Sequence, residues 1–270
     1  MDNLTIDSSV KRLTPEQKTQ FQEWGYVKGL PVFDETSVIM LQKRFHEVVA
    51  LMPDDLDINH VNMWHKANRW VHDIARTPAI LDYVEDLLGP DFYQWAGQFF
   101  IKYPGDGTVV PWHQDKQYWP LIPKKAVSVW LAIYDSDDDN GAMQVVRGSH
   151  KGGDLSHHHS DDPSHILKQE LDADALDQDK IVTLNLNAGE ISLHDEGLVH
   201  GSGKNDSNRI RAGLTMRFSP TEVRGDLSVW PTFEMSMARG VDRFGHNPVA
   251  RTPTIDGFPT GLNQLSSDFA

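Results

Sequence analysis

The segment Trp112-His113-Gln114-Asp115 carries the strongest chemical signal in this sequence. If His113 and Asp115 end a β-strand, their side chains point to the same face, because side chains alternate along a strand. A neutral imidazole and a carboxylate at that spacing can chelate one divalent metal ion. A second histidine would complete a facial triad of two histidines and one carboxylate, which leaves metal positions open for other ligands. The His-x-Asp pair alone is weak evidence, since the chain has 13 histidines.

The segment that starts at His200 can supply the missing ligand. His200 is followed by Gly201 and Ser202, and Arg211 lies eleven residues after it. A histidine near a turn and an arginine on the next strand can face the same cavity. The imidazole would complete the triad, and the guanidinium with a hydroxyl beside it would hold a carboxylate through paired hydrogen bonds. This pairing is what 2-oxoglutarate requires, because one end chelates the metal and the far carboxylate needs a cation.

Other histidines offer alternatives that the spacing leaves open. His194 lies six residues before His200 and is a rival for the third ligand, but no Gly-Ser pair follows it. The run 157–159 is three consecutive histidines, and such tracts bind metals in some proteins. It lies among Gly, Ser and Asp residues, and this composition favours a solvated loop. His113 and His200 could also be core histidines with hydrogen-bond partners, and Arg211 could form a structural ion pair.

The elements that would position these residues are short strands. From Phe92 onward, apolar runs separated by Gly, Asn, Asp or Pro predict strands. They cover 93–103, 126–134, 142–146, 181–186, 190–193 and 210–218. In the last run, alternation places Arg211 and Arg217 on one face and Leu214 and Phe218 on the other. The face with two guanidinium groups suits an anion.

The first third of the chain is predicted to be mostly helical. Thr14-Pro15 and Thr77-Pro78 are typical helix starts, and Gly89-Pro90 is a typical stop. Residues 35–51 have apolar side chains at close to helical spacing. Helices followed by many short strands predict an α+β protein whose β part is a sandwich or a barrel.

Composition and charge exclude several classes of protein. The chain of 270 residues has no cysteine, so disulfides, thiolate nucleophiles and Cys-type metal sites are excluded. The net charge of −14 argues against nucleic acid as a partner. Residues 1–12 have no apolar core of a secretion signal, and no apolar run reaches the length of a membrane span. We expect a cytoplasmic protein without a membrane partner, while the oligomeric state stays open.

Three separated segments together resemble the phytanoyl-CoA dioxygenase (PhyH) family. They are WHQDKQYWP, SVWLAIYDSDDDNGAMQVVRGSHKG and LHDEGLVHGSGKNDSNRIRAGLTMRF, and the similarity runs over about residues 78–220. The resemblance implies a double-stranded β-helix, a cupin-like jelly roll, with N-terminal helices packed on one side. We expect one domain over 1–270, with a mainly helical part (1–90), a jelly-roll core (91–220) and a C-terminal extension (221–270).

The same resemblance implies the reaction and the residues that carry it. It implies Fe(II) as the metal, 2-oxoglutarate as co-substrate, O2 as oxidant and hydroxylation of a C–H bond as the outcome. The implied iron ligands are His113, Asp115 and His200. The residues implied at the co-substrate site are Arg211, Ser202, Gln114 and Trp130. Related halogenases lack the carboxylate ligand, so Asp115 argues against halogenation.

The substrate is less well defined by the sequence. The candidates for substrate contact are Lys66, Asn68, Arg69, Lys116, Tyr118, Trp119, Arg217 and Trp230. The basic residues among them favour a small anionic or zwitterionic metabolite, such as an aminoalkylphosphonate. The tryptophans favour the alternative, a larger natural-product intermediate. A non-oxidative metal-binding jelly roll is the alternative from a different class of protein, and it would not need a carboxylate clamp.

Overall fold

A computed structural model describes residues 11–260 of the chain. The helices are α1 (Pro15–Trp24), α2 (Glu35–Val49), α3 (Trp64–Ala67), α4 (Arg69–Ile74) and α5 (Pro78–Leu88). The strands are β1 (Tyr26–Pro31), β2 (Phe92–Lys102), β3 (Val110–Gln114), β4 (Leu121–Ile122), β5 (Val127–Ala132), β6 (Gln144–Val146), β7 (His158–His159), β8 (Gln169–Glu170), β9 (Ile181–Thr183), β10 (Glu190–Asp195), β11 (Val199–Ser202), β12 (Arg211–Pro220), β13 (Arg224–Gly225) and β14 (Ser236–Arg239).

The predicted helices in the first third are confirmed. Thr14 caps α1 reciprocally with Gln17, since each side chain bonds the other residue's backbone N–H, at 3.2 and 2.9 Å. Pro15 occupies the first turn, and Gly25 ends the helix in the left-handed conformation with φ 83°. The start at Thr77-Pro78 and the stop at Gly89 also hold for α5.

Two large antiparallel sheets form most of the β part, as expected for a jelly roll, and the pairs β13-β4 and β7-β8 form two small ones. The larger sheet has the strand order β1-β10-β5-β12-β2-β14, and the smaller sheet has the order β3-β11-β6-β9. Each predicted strand run overlaps a strand of one of these sheets. The predicted runs do not include β1 in the mainly helical part, β11, where only a turn near His200 was expected, or β14 in the C-terminal extension. β1 and β14 are edge strands with register irregularities, so their sequence alternation is weak.

The main hydrophobic core lies between the helices and one face of the larger sheet. On β12, Leu214, Met216 and Phe218 are buried in the same cluster as Phe45 of α2 and Ile80 of α5. The opposite face of β12 turns towards the smaller sheet. The alternation predicted for this strand is therefore confirmed, and the polar face is the one that lines the space between the sheets.

Strand register sets the order of side chains on that inner face. His194, Ser128 and Arg217 lie side by side on β10, β5 and β12, because Ser128 is the register partner of both other residues. Two residues further along, Trp130 lies beside Thr215. Arg211 is six residues from Arg217 on β12, about 20 Å along an extended strand. The inner face thus has two cationic ends.

The described helices include none that is long and apolar enough to cross a membrane. The division into a helical part, a jelly-roll core and a C-terminal extension stays a prediction, and residues 1–10 and 261–270 of it lie outside the described residues.

Candidate active site

His113, Asp115 and His200 come together between the two sheets. His113 lies on β3 and is the direct register partner of His200 on β11. Asp115 follows the last residue of β3 and begins a short 3-10 helix. One ligand atom from each of the three residues lies within 4.8 Å of the others, and all three side chains are buried. His200, which is 87 residues after His113 and 85 after Asp115, thus converges with them on one point.

Both histidines present the same nitrogen to this point. The Nδ1 atoms of His113 and His200 bond the backbone carbonyls of Pro111 and Leu198, at 2.8 and 2.9 Å. This fixes Nε2 as the ligand atom on each ring. The Nε2 atoms of His113 and His200 lie 3.6 and 4.0 Å from Asp115 Oδ1. Two atoms bound to one metal at about 2.1 Å cannot be more than about 4.2 Å apart, and both distances satisfy this limit.

The protonation of His200 and Asp115 also suits a metal ion. Burial lowers the pKa of His200 well below its usual value, and the neighbouring His113 adds to this effect. Burial alone would raise the pKa of Asp115. The neighbouring His113 and His194 and the charges of His200 and Arg217 outweigh it, so this pKa lies well below its usual range. A neutral imidazole and an ionised carboxylate are the forms that bind metals.

Arg211 forms the far end of the inner chamber, which we define by Arg211, Trp130, Ser202 and the three ligands. Its guanidinium lies over the Trp130 ring, with Cζ 4.5 Å from the ring centroid. The side chain is buried, and burial lowers its pKa to about 9. Within residues 11–260, Nε and Nη1 of Arg211 have no hydrogen-bond partner. A buried guanidinium in this state has donors available for an anion that enters the chamber.

Lys102 and Ser202 border Arg211, and sequence reasoning missed the lysine. Lys102 is the register partner of Arg211 on β2, and its side chain is buried. Its ammonium bonds the Ser202 hydroxyl oxygen at 2.7 Å and the backbone carbonyls of Ser202 and Gly203. Because the Ser202 oxygen accepts from Lys102, its hydroxyl hydrogen remains for a carboxylate beside Arg211.

A second, larger space opens from the ligands towards solvent. This outer cavity of about 230 Å³ shares His113, Asp115, Phe100 and Arg217 with the inner chamber. Four of the candidate substrate residues line it, namely Tyr118, Trp119, Arg217 and Trp230. Further lining residues, none of them among the eight substrate candidates, include Asn59, Asn62, Met63, Trp95, Gln98 and Lys168. Trp95 lies on β2, which is buried along almost its whole length, so its sequence gave no signal of a cavity.

The other four substrate candidates do not line the outer cavity. Lys66 pairs with Glu234 at 3.2 Å, and Arg69 pairs with Asp73 at 2.8 Å. Asn68 caps α4 by accepting from the Val71 backbone N–H. Lys116 bonds the Gly153 carbonyl and Asp154, both at 2.7 Å. Each of these side chains has a structural partner, which explains its type without a substrate.

Gln114 also differs from its predicted place at the co-substrate. It follows His113 on β3, so its side chain points to the opposite face of the strand. Its amide bonds the carbonyls of Gly153 and Gly197 and accepts from the Leu155 N–H. Gln114 therefore anchors the loop after β6 to the ligand-bearing strand. Trp130 and Ser202, in contrast, lie at the predicted site beside Arg211.

The run of three histidines is mostly exposed, and two of them form the short strand β7 rather than a loop. His158 and His159 are exposed. His157 is half-buried, and its Nε2 accepts from the backbone N–H of Gln114 at 3.0 Å. Only His113, Asp115 and His200 form a cluster of potential metal ligands in the part of the chain that the structure describes.

Comparisons with known proteins agree with this geometry. The sequence model of the phytanoyl-CoA dioxygenase (PhyH) family matches residues 21–213, and the chain belongs to this family. Peroxisomal phytanoyl-CoA dioxygenase of Mus musculus is 25% identical over 262 residues, which cover 88% of this chain and 76% of that protein. The protein named "probable alpha-ketoglutarate-dependent hypophosphite dioxygenase" of Stutzerimonas stutzeri is 26% identical over 163 residues, 60% of this chain and 54% of that protein.

A solved structure extends the likeness to three dimensions. The apo form of the non-heme monooxygenase ThoJ superposes with a TM-score of 0.73 and is 27% identical, with 88% of each chain covered. Together with the buried cluster of two histidines and one carboxylate, this family membership identifies the chain as an Fe(II)- and 2-oxoglutarate-dependent dioxygenase. The expected jelly-roll fold is confirmed as well.

Proposed function

We propose that the protein hydroxylates an unactivated C–H bond of a small anionic or zwitterionic metabolite. His113, Asp115 and His200 hold Fe(II), and Arg211 with Ser202 holds the far carboxylate of 2-oxoglutarate. The iron supplies the oxidising chemistry, and the protein binds and orients the groups around it. One atom of O2 enters the product hydroxyl group and the other enters succinate, while carbon dioxide leaves.

The observation that carries the co-substrate assignment is the state of Arg211. It is buried, it has donors without partners among the described residues, and it lines the same chamber as the three ligands. An uncompensated guanidinium is costly to bury unless an anion joins it. A dicarboxylate that reaches from the metal to Arg211 would supply that anion. A metal protein without a 2-oxo acid would have no use for this arrangement.

Arg217 supports the choice of an anionic substrate. Its guanidinium lies over Trp119, with Cζ 5.1 Å from the ring centroid, and it lines the outer cavity. Among the described residues its Nε has no partner, and burial lowers its pKa although the charge of Asp115 opposes this. Once Asp115 binds a metal ion, its charge is shared with that ion. Arg217 then has unused charge that a phosphonate or carboxylate can neutralise.

The size of the outer cavity favours a small substrate. Its volume of about 230 Å³ lies below the range of roughly 300–1,000 Å³ that holds drug-sized ligands. Trp95, Trp119 and Trp230 provide an apolar wall, which is the feature that favours a larger natural-product intermediate. The two curated relatives are named for substrates of very different size, phytanoyl-CoA and hypophosphite, so family membership leaves the choice open.

The reaction class can be tested without knowing the substrate. Fe(II) and 2-oxoglutarate are added to the metal-free protein without oxygen, and the weak visible charge-transfer band of the iron–oxo-acid chelate is recorded. We expect the band in the wild type and in Arg209→Ala, whose exposed arginine pairs with Asp137. Arg211→Ala should lose most of it. Iron binding without a band in the wild type would refute the proposed co-substrate site.

The substrate class needs a panel of compounds. Succinate release is measured with 2-aminoethylphosphonate, free amino acids, an acyl-CoA thioester and uncharged aromatic compounds. The proposal predicts stimulation by small anions or zwitterions, and loss of that stimulation in Arg217→Gln. Stimulation by uncharged aromatic compounds alone, unaffected by Arg217→Gln, would instead establish the larger natural-product alternative.

A further inference from the structure

His194 lies beside the ligand cluster and is not one of the three converging ligands. It is on β10, buried to 2% exposure, and lines the inner chamber. Its ring packs on His200, with centroids 4.8 Å apart. Its Nε2 lies 3.5 Å from Asp115 Oδ2. Among residues 11–260, its Nδ1 has no hydrogen-bond partner.

The two oxygens of Asp115 face different partners. Oδ1 faces Nε2 of His113 and His200 at 3.6 and 4.0 Å. Oδ2 faces His194 Nε2 at 3.5 Å and accepts from the Ser128 hydroxyl at 3.1 Å. His194 and Ser128 are register partners on adjacent strands, so the larger sheet presents both donors to the same oxygen.

An apolar residue could occupy the position of His194 at a lower free-energy cost. Among the described residues the Nδ1 of His194 is buried without a partner, which costs free energy that an apolar side chain would not. It is therefore not a core histidine satisfied on both nitrogens. The contact that distinguishes His194 from an apolar residue is the one to Asp115 Oδ2.

We propose that His194 is a positioning residue that, with Ser128, holds Asp115 Oδ2 away from the metal, so that only Oδ1 binds. This inference rests on the proposed function of Asp115 as a ligand. A carboxylate with one oxygen held by two donors binds a metal through the other oxygen alone. The position that Oδ2 would otherwise occupy stays open for the co-substrate or oxygen.

The test uses Co(II) as a probe, because its binding and visible spectrum report ligand geometry without turnover. His194→Phe removes the donor and keeps a ring of similar size. We expect Co(II) affinity to fall about 10- to 100-fold, as for other losses of a residue that orients a metal ligand. The visible spectrum should shift as Asp115 becomes bidentate. His194→Gln, whose amide can donate from nearly the same place, should restore most of the affinity and the wild-type spectrum.

One control and one further variant separate this inference from a general loss of structure. His65→Phe replaces another fully buried histidine whose nitrogens have no partner in the described part of the chain, and His65 does not line either space. It should leave Co(II) affinity unchanged. Ser128→Ala removes the second donor at Oδ2 and should shift the spectrum in the same direction as His194→Phe, so it tests the inference if His194→Phe does not fold.

A failure of this inference about His194 can be distinguished from a failure of the proposed function. If the wild type binds Co(II) and His194→Phe or Ser128→Ala matches it in affinity and spectrum, the role of His194 is refuted while the iron site stands. Equal losses in His194→Phe and His194→Gln would also refute it, because donation would then not matter. If the wild type itself does not bind Co(II) at the triad, the proposed function fails first.

Discussion

The two ends of the inner face of β12 carry the same residue in different surroundings. Arg211 and Arg217 are both buried, and each lies over a tryptophan ring, Trp130 and Trp119 respectively. Arg211 has Lys102 beside it in register, and burial is the cause of its lowered pKa. Arg217 lies near the carboxylate of Asp115, whose charge opposes the effect of burial on its pKa.

This difference shows how the surrounding residues can make two similar arginines bind different anions. At the Arg211 end, the guanidinium, the Ser202 hydroxyl and the side-chain nitrogen of Lys102 surround a narrow space that suits one carboxylate. Burial and the charge of Arg211 lower the pKa of Lys102 to about 6. At the Arg217 end, the space is larger and aromatic, and Asp115 already offsets part of the charge. We therefore expect Arg211 to bind the co-substrate and Arg217 to bind the substrate. The first three predictions below test this separation and the last tests the pH dependence of stability, in order from the largest expected effect to the smallest.

Arg211→Lys should give the largest effect. It keeps the charge but loses the planar pair of donors that matches a carboxylate. We expect KM for 2-oxoglutarate to rise about 100-fold, in line with the loss of two charge-assisted hydrogen bonds. The control is Arg209→Lys on the exposed segment before β12, which should change KM little. An unchanged KM in Arg211→Lys would mean that the co-substrate carboxylate lies elsewhere.

Arg217→Met should act on the substrate instead. We expect KM for the substrate found in the panel to rise about 30-fold, because one charge-assisted contact is lost. KM for 2-oxoglutarate and succinate release without substrate should stay near the wild-type values. Steady-state kinetics with each compound varied in turn provides the measurement. A comparable rise in KM for 2-oxoglutarate would show that the two ends are not separate.

Gly213→Ala tests whether the Trp130 ring positions Arg211. A Cβ at Gly213 would lie 2.0 Å from Trp130 Cζ2, so the ring must move and the guanidinium above it with it. We expect KM for 2-oxoglutarate to rise about tenfold and stability to fall by about 1–3 kcal/mol, as for other overpacked sites. Gly203→Ala is the matched control, since a Cβ there meets nothing within 4 Å. Equal values of KM and stability in the two variants would contradict a role for Trp130 in positioning Arg211.

The smallest expected effect is a pH dependence of stability caused by Glu196, which directly follows β10. Glu196 accepts from the Ala126 N–H at 2.8 Å, and burial, aided by the charge of Asp195, raises its pKa to about 7. Between the ordinary carboxyl pKa and about 7, the folded state holds a proton that the unfolded state has released. Stability should therefore fall as pH rises through this window.

Glu196→Gln should remove this dependence. Relative to wild type, we expect Tm to be higher by a few degrees (~3 °C) at pH 8 and nearly unchanged at pH 5. Glu222→Gln, on the surface beside Lys125, is the control and should show no such pH dependence. Thermal melts at both pH values provide the measurement. An equal Tm difference at both pH values would contradict the raised pKa of Glu196.

The sequence predicted the fold, and its candidate metal ligands lie together, whereas only half of its substrate candidates line the outer cavity. His113 and Asp115 could be identified because they are two residues apart, the spacing at which side chains share one face of a strand. Arg217 could be identified because alternation on β12 is unbroken. Lys66, Arg69 and Lys116 could not be excluded, since their partners Glu234, Asp73 and Asp154 are set by tertiary packing. A basic side chain looks the same in sequence whether it faces a cavity or a carboxylate.

Strand pairing and tertiary packing also determine side-chain contacts that no local sequence pattern predicts. Lys102 reaches Ser202 because β2 pairs with β12 and the smaller sheet packs opposite. Asn59 and Asn62 reach the outer cavity from the connection between α2 and α3, which has no periodic signal. His194 could be noted as a histidine near His200, but its contact with Asp115 depends on the pairing of β10 with β5.

The most direct test of the central claim is a calorimetric titration of 2-oxoglutarate into the Fe(II)-loaded protein without oxygen. Wild type, Arg211→Met and Arg217→Met are compared under the same conditions. The separation of the two ends predicts that Arg211→Met loses measurable binding while Arg217→Met binds 2-oxoglutarate as tightly as the wild type. Undiminished binding by Arg211→Met, or an equal loss in both variants, would contradict the assignment of the two arginines to different anions.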